Sequence, residues 1–448
     1  MDRDRRSFLG AAAALAGGPL LQLGRGAASD RIRVGIVGMG GRGNSLMKSL
    51  HRIASDNVEV VALCDVDSAA LASRAKDFER LTGRRAATFG DMRKLLEDKS
   101  IDAVVHTTPD NWHAVGGAWT MQAGKDAYIE KPLALTLWEG EKVVEAARKH
   151  RRIVQHGTQS RSSPEILEGM EQLRRGVIGE IYMARGIGHK YRPSIGREKP
   201  SDPPASLNYE MWRGPAPMKP YKRNQVRYDW HWFWDTGTGD LGNLAVHGLD
   251  VMRMAFDLKD LPEQVQSAGA NLVWDDDKET PNFQTCVYNY KKRKVLLEYS
   301  IRNGHSNSEA GMGESIPMRL GNDKWSAHGL VIYGSEGYMV LADLISYRTY
   351  LGRARKPGPA RIGAGLPESN EPHLQNFFKA VRSRRHEDLN ADVEEGRRSA
   401  ALCHLANISY RVGATLQVDP RTEKIANRAA EALRRRPLRA PYTIPAVV

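Results

Sequence analysis

The sequence predicts an α/β chain: an N-terminal Rossmann-like, doubly wound parallel sheet, followed by an α+β domain with a large, mostly antiparallel open sheet. Three observations predict it. An apolar β-run, Arg31 to Val37, leads into the glycine loop Gly38-Met39-Gly40-Gly41-Arg42-Gly43 and then a helical stretch from Asn44 to Ile53. Strand and helix patterns go on alternating as far as Gln155, the rhythm that builds parallel sheets. From about His156 the pattern changes to strands rich in aromatics and separated by long turns.

The length of 448 residues accommodates two domains, or one large and one small. Apolar residues make up 41% and charged residues 27%, the balance of a globular chain rather than a disordered or membrane-spanning one. No run of about 18 apolar residues occurs, so no stable membrane anchor is expected. A net charge of +13 raises the question of nucleic acid. That charge is scattered, however. Its densest runs, Arg5-Arg6, Lys291 to Lys294 and Arg434 to Arg436, fall in a leader, a hairpin turn and a tail, and read as solvated surface. Cys64, Cys286 and Cys403 are too few for a disulfide framework.

Residues Asp4 to Gly10 spell D-R-R-S-F-L-G, and the mild apolar run Ala11 to Leu23 ends in small residues around Gly26, Ala27 and Ala28. Residues 1–28 therefore read as a twin-arginine signal peptide, which makes the export machinery a partner and the periplasm the destination. That route moves folded proteins, which suits a chain that must enclose a cytosolic cofactor first.

The glycine loop stands in the context that dinucleotide binding requires. Gly38 permits the tight turn, Gly40 lets the backbone approach a pyrophosphate at the helix N-terminus, and Gly43 lets helix pack on strand. Met39, Gly41 and Arg42 complete the loop. A second strand, Val58 to Leu63, ends at Asp65, 22 residues after Gly43, where an acid hydrogen-bonds an adenosine ribose. Asp65 repels a ribose 2′-phosphate and favours NAD, whereas Arg42 offers such a phosphate a partner and keeps NADP open. The alternation continues through helices at Ser68 to Leu81 and Asp91 to Glu97, a strand at Ala103 to Thr107, a helix at His113 to Ala123, a strand at Asp126 to Ile129, a helix at Trp138 to His150 and a strand at Ile153 to Gln155. Residues 31–155 form the first domain. Ligands of such sheets sit beyond the carboxyl ends of the strands, where Thr107-Thr108-Pro109 and Glu130-Lys131-Pro132 lie.

Thr108-Pro109 with His113, then Glu130-Lys131-Pro132, then Gly157-Thr158-Gln159, all downstream of this glycine loop, resemble the Gfo/Idh/MocA oxidoreductase family over about residues 31 to 415. The likeness extends to Gly239-Asp240-Leu241-Gly242-Asn243 with His247 and Asp250, and to His373-x-x-Asn376-Phe377. The resemblance implies a tightly bound nicotinamide cofactor, with Thr107, Thr108, Pro109, His113, Glu130 and Lys131 against it. It implies Lys131 and His247 as the catalytic pair. It also implies dimers or tetramers through the open sheet. At Asn243 the family pattern usually has aspartate, and an amide does not accept a proton at neutral pH; Asn243 is left a hydroxyl contact, with Asp240 three residues earlier.

The residues themselves agree in outline. Oxidising a secondary alcohol needs a base within hydrogen-bond reach of the hydroxyl, and burial beside a cofactor lowers a lysine pKa while its cationic form stabilises an alkoxide. Against this, Lys131 also fits a turn before Pro132, and His247 a satisfied position in the apolar helix Leu244 to Met254. No two histidines fall at HxH or HxxxH spacing, so no metal is expected.

The second domain, residues 156–370, carries strands at Gln264 to Val273, Phe283 to Tyr290, Val295 to Ile301 and Gly329 to Tyr333, with loops at Ser194 to Ser206 and Gly304 to Gly313. Trp212, Trp232 and Trp234 offer aromatic faces for sugar C–H patches, or else core. Gln159, Arg161 and Asp250 are further hydroxyl contacts. Helices Pro372 to Arg384 and Val393 to Val412, within residues 371–415, return to the first domain, and 416–448 is a basic tail. The leading function is oxidation or reduction of a sugar, sugar acid or cyclitol hydroxyl with retained NAD(P). Its rivals are an NAD-dependent glycosidase working by transient oxidation and a binding protein without turnover.

Overall fold

The computed structural model describes residues 31–305, 327–342, 344–363 and 366–444; the signal-peptide reading at 1–28 lies outside them, as does most of the Gly304 to Gly313 loop. Six parallel strands form the first sheet: β1 Ile32–Val37, β2 Val58–Cys64, β3 Ala87–Phe89, β4 Ala103–His106, β5 Asp126–Ile129 and β6 Val154–His156, in the order β3-β2-β1-β4-β5-β6. The helices between them are α1 Gly41–Arg52, α2 Ser68–Thr82, α3 Met92–Glu97, α4 Asp110–Gln122 and α5 Leu137–Lys149. The order reverses between β1 and β4, and that switch point is where such sheets take ligands.

Local chemistry starts these helices. The Asp67 side chain accepts from the N–H groups of Ala69 and Ala70 at the start of α2. Thr136 and Glu139 satisfy one another across the first turn of α5, the Glu139 N–H donating to Thr136 Oγ1 and the hydroxyl to Glu139 Oε2. Each such cap contributes about 1 kcal/mol. Helix α4 has no side-chain cap but carries Asp110 in its first turn; helix α1 has neither, with no side-chain cap at Gly40 and no acidic residue in the first turn, which leaves its N–H groups for a ligand.

Among the described residues the second sheet has nine strands, and the sequence reading found four of them: β8 Gln264–Ala270, β9 Phe283–Tyr290, β10 Val295–Arg302 and β11 Ala327–Gly334. It missed β7 Ile181–His189, which lies in the middle of the order β14-β13-β12-β11-β7-β10-β9-β8-β15. It also missed β12 Gly337–Ala342, β13 Ser346–Leu351, β14 Lys356–Ile362 and β15 Leu416–Gln417. β7 pairs parallel with β10 and antiparallel with β11, so both its edges are covered. Its six-residue run Met183 to Gly188 carries two glycines because β10 side chains pack there: a Cβ at Gly186 meets the Tyr299 ring at 2.4 Å and one at Gly188 meets Ile301 at 2.8 Å.

After the short helices α6 Pro164–Arg174 and α7 Tyr209–Arg213, helix α8, Val246–Ala255, and the long helix α10, Val393–Val412, lie in the core beneath this sheet with Tyr288, Leu297 and Tyr299. Helix α9, Leu366–Ser383, places Leu374, Phe377 and Phe378 on one face of the parallel sheet. The opposite face takes Val393, Ala400, Tyr442 and Ile444. The chain from 416 to 444 is therefore packed, contrary to its reading as a basic tail. Arg434 bonds Glu141 and the Glu423 carbonyl, Arg436 bonds Glu139 at 2.7 Å and the Asn111 carbonyl at 2.9 Å, and Arg435 lies 4.1 Å from the Trp138 ring centroid. A run of cations looks solvated in sequence, but here each has a partner from a distant element.

Candidate active site

The glycine loop has the shape a dinucleotide needs. Gly38 holds φ at +92°, a Cβ at Gly43 would lie 2.0 Å from the Gly38 carbonyl oxygen, and the space over Gly40 and Gly41 is open within 4 Å. Asp65 braces the loop, one oxygen accepting from the Met39 N–H at 2.6 Å and the other from the Asp67 N–H at 2.9 Å. Each oxygen keeps a second lone pair for a ribose hydroxyl. Burial raises the Asp65 pKa. Arg42 is not free for a 2′-phosphate, the role that left NADP open. Its Nε donates to Glu130 Oε1 at 2.6 Å and its Nη1 to Asn370 Oδ1 at 3.2 Å, which clamps the loop to the end of β5.

Two strand ends face this loop. Thr107 Oγ1 donates to the carbonyls of Val37 and Gly38, and Thr108 Oγ1 is buried without a protein partner. His113 joins the strand ends, with Nδ1 2.6 Å from the Pro132 carbonyl and Nε2 2.9 Å from that of Thr108. The peptide between Lys131 and Pro132 is cis. Pro109 is the N-cap of α4, which starts at Asp110, three residues before the position the sequence suggested.

Lys131 extends from the end of β5 to a single turn of π-helix, Leu241–Ala245, that introduces α8. Its Nζ donates to the main-chain oxygen of Asn243 at 2.7 Å and to Asn243 Oδ1 at 3.0 Å. The other face of the Asn243 amide donates from Nδ2 to Tyr228 Oη and to Asp240 Oδ1, both at 3.0 Å. Lysine only donates and an ionised carboxylate only accepts, so these two partners fix which way the amide points. Asp240 is saturated by Arg192 at 2.9 Å and Asn303 at 2.6 Å, and these partners outweigh its burial and hold its carboxyl below the usual range. A carboxylate at 243 would face Asp240 at hydrogen-bond distance; an amide there is the residue that fits.

Burial lowers the Lys131 pKa, with Glu130 and Asp110 opposing. His247, in the first turn of α8, is held well below its ordinary value, first by burial and then by the charges of Lys131, His328, Arg42 and His156. The pair predicted from sequence thus shares one electrostatic environment. Gln159 adds a buried Oε1 with no protein partner.

Other expected contacts are elsewhere. Arg161 and Asp250 face each other: Arg161 Nε lies 2.8 and 2.9 Å from the two carboxylate oxygens, Asp250 is fully buried, and Ser399 Oγ donates to it at 2.6 Å. Asp250 is thus committed to protein partners, and Arg161 spends its Nε on Asp250 and its Nη2 on Glu395. Trp212 stacks on Tyr209 at 5.9 Å, and Trp232 is buried beneath Arg192 and Lys278. Trp234 lines a different cavity. Three residues the sequence reading did not select join the site instead. Asp110 accepts from Thr238 Oγ1 at 2.8 Å and burial pushes it up to about 7. Tyr228 and Arg192 support Asn243 and Asp240. Asp110 stood inside the quoted Pro109–His113 stretch; Tyr228 and Arg192 lie in loops with no local motif. Among the described residues no cluster of three His, Cys, Asp or Glu is arranged for a metal ion.

The uncapped α1 N-terminus, the open glycine edge and the acid at the end of β2 define a dinucleotide-binding protein of the Rossmann class. Two parts of one oxidoreductase family, Gfo/Idh/MocA, match the chain: its NAD-binding Rossmann fold at residues 32–158, and its C-terminal alpha/beta domain at residues 181–301 and 351–444. The chain belongs to that family, and its cofactor is NAD. A glycosyl hydrolase family 109 protein of Stenotrophomonas maltophilia is 33% identical over 200 residues, 42% of this chain and 43% of the relative; one from Shewanella baltica is 32% identical over 156 residues, 34% of each. The matched part is thus less than half the length of these relatives. Among solved structures, the WlbA dehydrogenase of Chromobacterium violaceum, in complex with NADH and UDP-GlcNAcA, has a TM-score of 0.63 at 20% identity, covering 87% of this chain and 96% of that one. Levoglucosan dehydrogenase with NADH and levoglucosan gives 0.63 at 17% identity, covering 86% and 98%. The aldose-aldose oxidoreductase of Caulobacter crescentus gives 0.65 at 14%, covering 87% and 100%. These likenesses are of fold.

Proposed function

We propose that the protein oxidises or reduces a secondary hydroxyl of a sugar, sugar acid or cyclitol, with Lys131 and His247 managing the proton. The observation that carries this is the Lys131 ammonium, held by two neutral oxygens of Asn243 with no carboxylate in ion-pair contact among the described residues. Bound NAD supplies the hydride acceptor or donor at the carbon bearing that hydroxyl. Burial keeps His247 neutral near pH 7, so its ring accepts the hydroxyl proton as the carbonyl forms. A protonated carbonyl is a far stronger acid than an imidazolium, so a lowered histidine pKa still allows transfer. The third N–H of Lys131 points its charge at the same oxygen and stabilises the developing alkoxide. Asn243 positions the ammonium and takes no proton.

Saccharide ligands in two proteins of the same fold support this substrate class. The test is a sugar panel on purified protein, read by the absorbance of bound nicotinamide. One sugar that changes its redox state supports the reading; a panel of aldoses, uronates and cyclitols that leaves it unchanged contradicts it. We also propose, from residues 1–28, export by the twin-arginine route to the periplasm with NAD retained and recycled by a second substrate, in a dimer or tetramer. A requirement for stoichiometric free NAD would contradict retention.

A second reading is favoured by the relatives named as glycosyl hydrolases. In it the same pair oxidises the sugar transiently, the glycosidic bond breaks, and hydride returns. Product analysis separates the two. A keto sugar or lactone marks the first, and a released aglycone without net redox change the second.

A further inference from the structure

Away from Lys131, the C-terminal arginine run builds one wall of a cavity of about 330 Å³. The other walls come from the turn between β5 and α5, the stretch from Trp234 to Thr238, and helix α10. Its charges are unevenly matched. Arg436 is held by Glu139, while the Asp235 carboxylate is held by Lys219 at 2.5 Å and Arg213 at 3.2 Å. Two rim cations remain. The Arg411 guanidinium lies 5.1 Å from the Trp234 ring centroid and that of Arg435 lies 4.1 Å from Trp138; neither has an ion pair among the described residues. In the wall, His404 is 5% exposed and its Nε2 has no protein partner.

Guanidiniums resting on indole faces are preoriented without being neutralised. An indole beside them offers a flat surface to C–H groups, and an unpartnered buried imidazole nitrogen asks for a polar atom. These features together fit an oxyanion carried on a compact, C–H-rich body, in a volume at the lower end of small-molecule sites.

We propose that this cavity binds a small organic anion, a carboxylate or phosphate ester on a sugar-sized body, at a site distinct from the hydride-transfer cleft. The assignment does not rest on the proposed reaction. Thr238 separates the two places: it lines the cavity, and its hydroxyl bonds Asp110 on the side of Lys131.

The test is calorimetric titration of the full chain saturated with NAD, so that the dinucleotide site is closed to phosphate. The probes are glucuronate, glucose 6-phosphate and glucose. Saturable binding of glucuronate or glucose 6-phosphate is expected, with glucose at least about tenfold weaker because it lacks the charge-assisted bonds. The pair of substitutions Arg411→Gln and Arg435→Gln should weaken the anion by about tenfold or more, and as both side chains are exposed the fold should be kept, with NAD affinity as the check. Lys131→Met should leave this binding unchanged, which separates the cavity from the catalytic cleft. Absence of saturable binding by either anion, anion binding that survives the double substitution, equal weakening of glucose binding by that double substitution, or loss of anion binding in Lys131→Met would each overturn the assignment.

Discussion

Two buried polar networks lie a few residues apart on α8 and the turn before it, and they are built in opposite ways. Around Asp250 every charge is closed off. Arg161 chelates the carboxylate, Ser399 adds a third bond, and Glu395 ties Arg161 at 3.1 Å to Arg253, itself fully buried. Around Lys131 the cation is held by the two oxygens of a neutral amide, while the carboxylates of Glu130, Asp110 and Asp240 act on it from beyond hydrogen-bond contact and are each bonded to other groups. A charge matched by its opposite holds elements together. One whose contacts are neutral dipoles, with carboxylates only at longer range, keeps part of its field for whatever enters, and that difference is why the proposed chemistry is placed at Lys131 rather than at Asp250.

Acid should separate the two most strongly. Burial holds His106, His189 and His231 down to about 3 and His328, His373 and His404 down to about 4, against about 6.5 in the unfolded chain. The unfolded state therefore binds more protons over that window. Stability is fully present above about pH 6.5 and falls as pH drops towards 4, by up to about 1.4 kcal/mol per unit for each histidine. Glu395, held down to about 2 chiefly by the charges of Arg253 and Arg161 against its burial, keeps its ion pairs throughout. Urea unfolding from pH 8 to 4 checks this, and a flat profile would contradict it.

Asp250→Ala leaves Arg161 buried with one partner fewer, and should cost about 3–5 kcal/mol of unfolding free energy. Folded molecules of that variant should still retain NAD. Lys131→Met should do the reverse, lowering kcat/KM about 10²–10³-fold with the unfolding midpoint near that of the parent. If Asp250→Ala instead spares stability and destroys turnover, the contrast between the networks fails. The smallest effect is electrostatic. Asn243→Asp adds a carboxylate against Lys131 and should raise the lysine pKa, moving the alkaline limb of the pH profile to higher pH.

The parallel sheet was legible because its signals are local. A strand, three glycines, a helix and the acid Asp65 all fall between residues 31 and 65, and each has one physical reason to be there. The second sheet was legible only in part. β7 is covered on both edges and its alternation is broken by Gly186 and Gly188, which answer to Tyr299 and Ile301, each more than a hundred residues away. The site divides in the same way. Lys131 and His247 were marked by neighbours in the sequence. Tyr228, Arg192 and Asn303 reach Asn243 or Asp240 from separate loops, so no spacing announces them. Arg161 and Asp250 misled because two polar residues expected to face a ligand bond each other first. The run Arg434 to Arg436 misled because partners such as Glu139 and Glu141 lie nearly three hundred residues earlier.

The central claim is that a neutral His247 and a cationic Lys131 share the proton of one hydroxyl at bound NAD. Single-turnover reduction of retained nicotinamide by a responding sugar, followed across pH in the parent, His247→Ala and Lys131→Met, tests it most directly. The account predicts a parent rate that holds well below pH 6.5 and falls on the alkaline side below pH 10.5, with both substitutions slowing the step by at least about a hundredfold. An undiminished rate in either variant, or an acid limb at pH 6.5 or above, would contradict it.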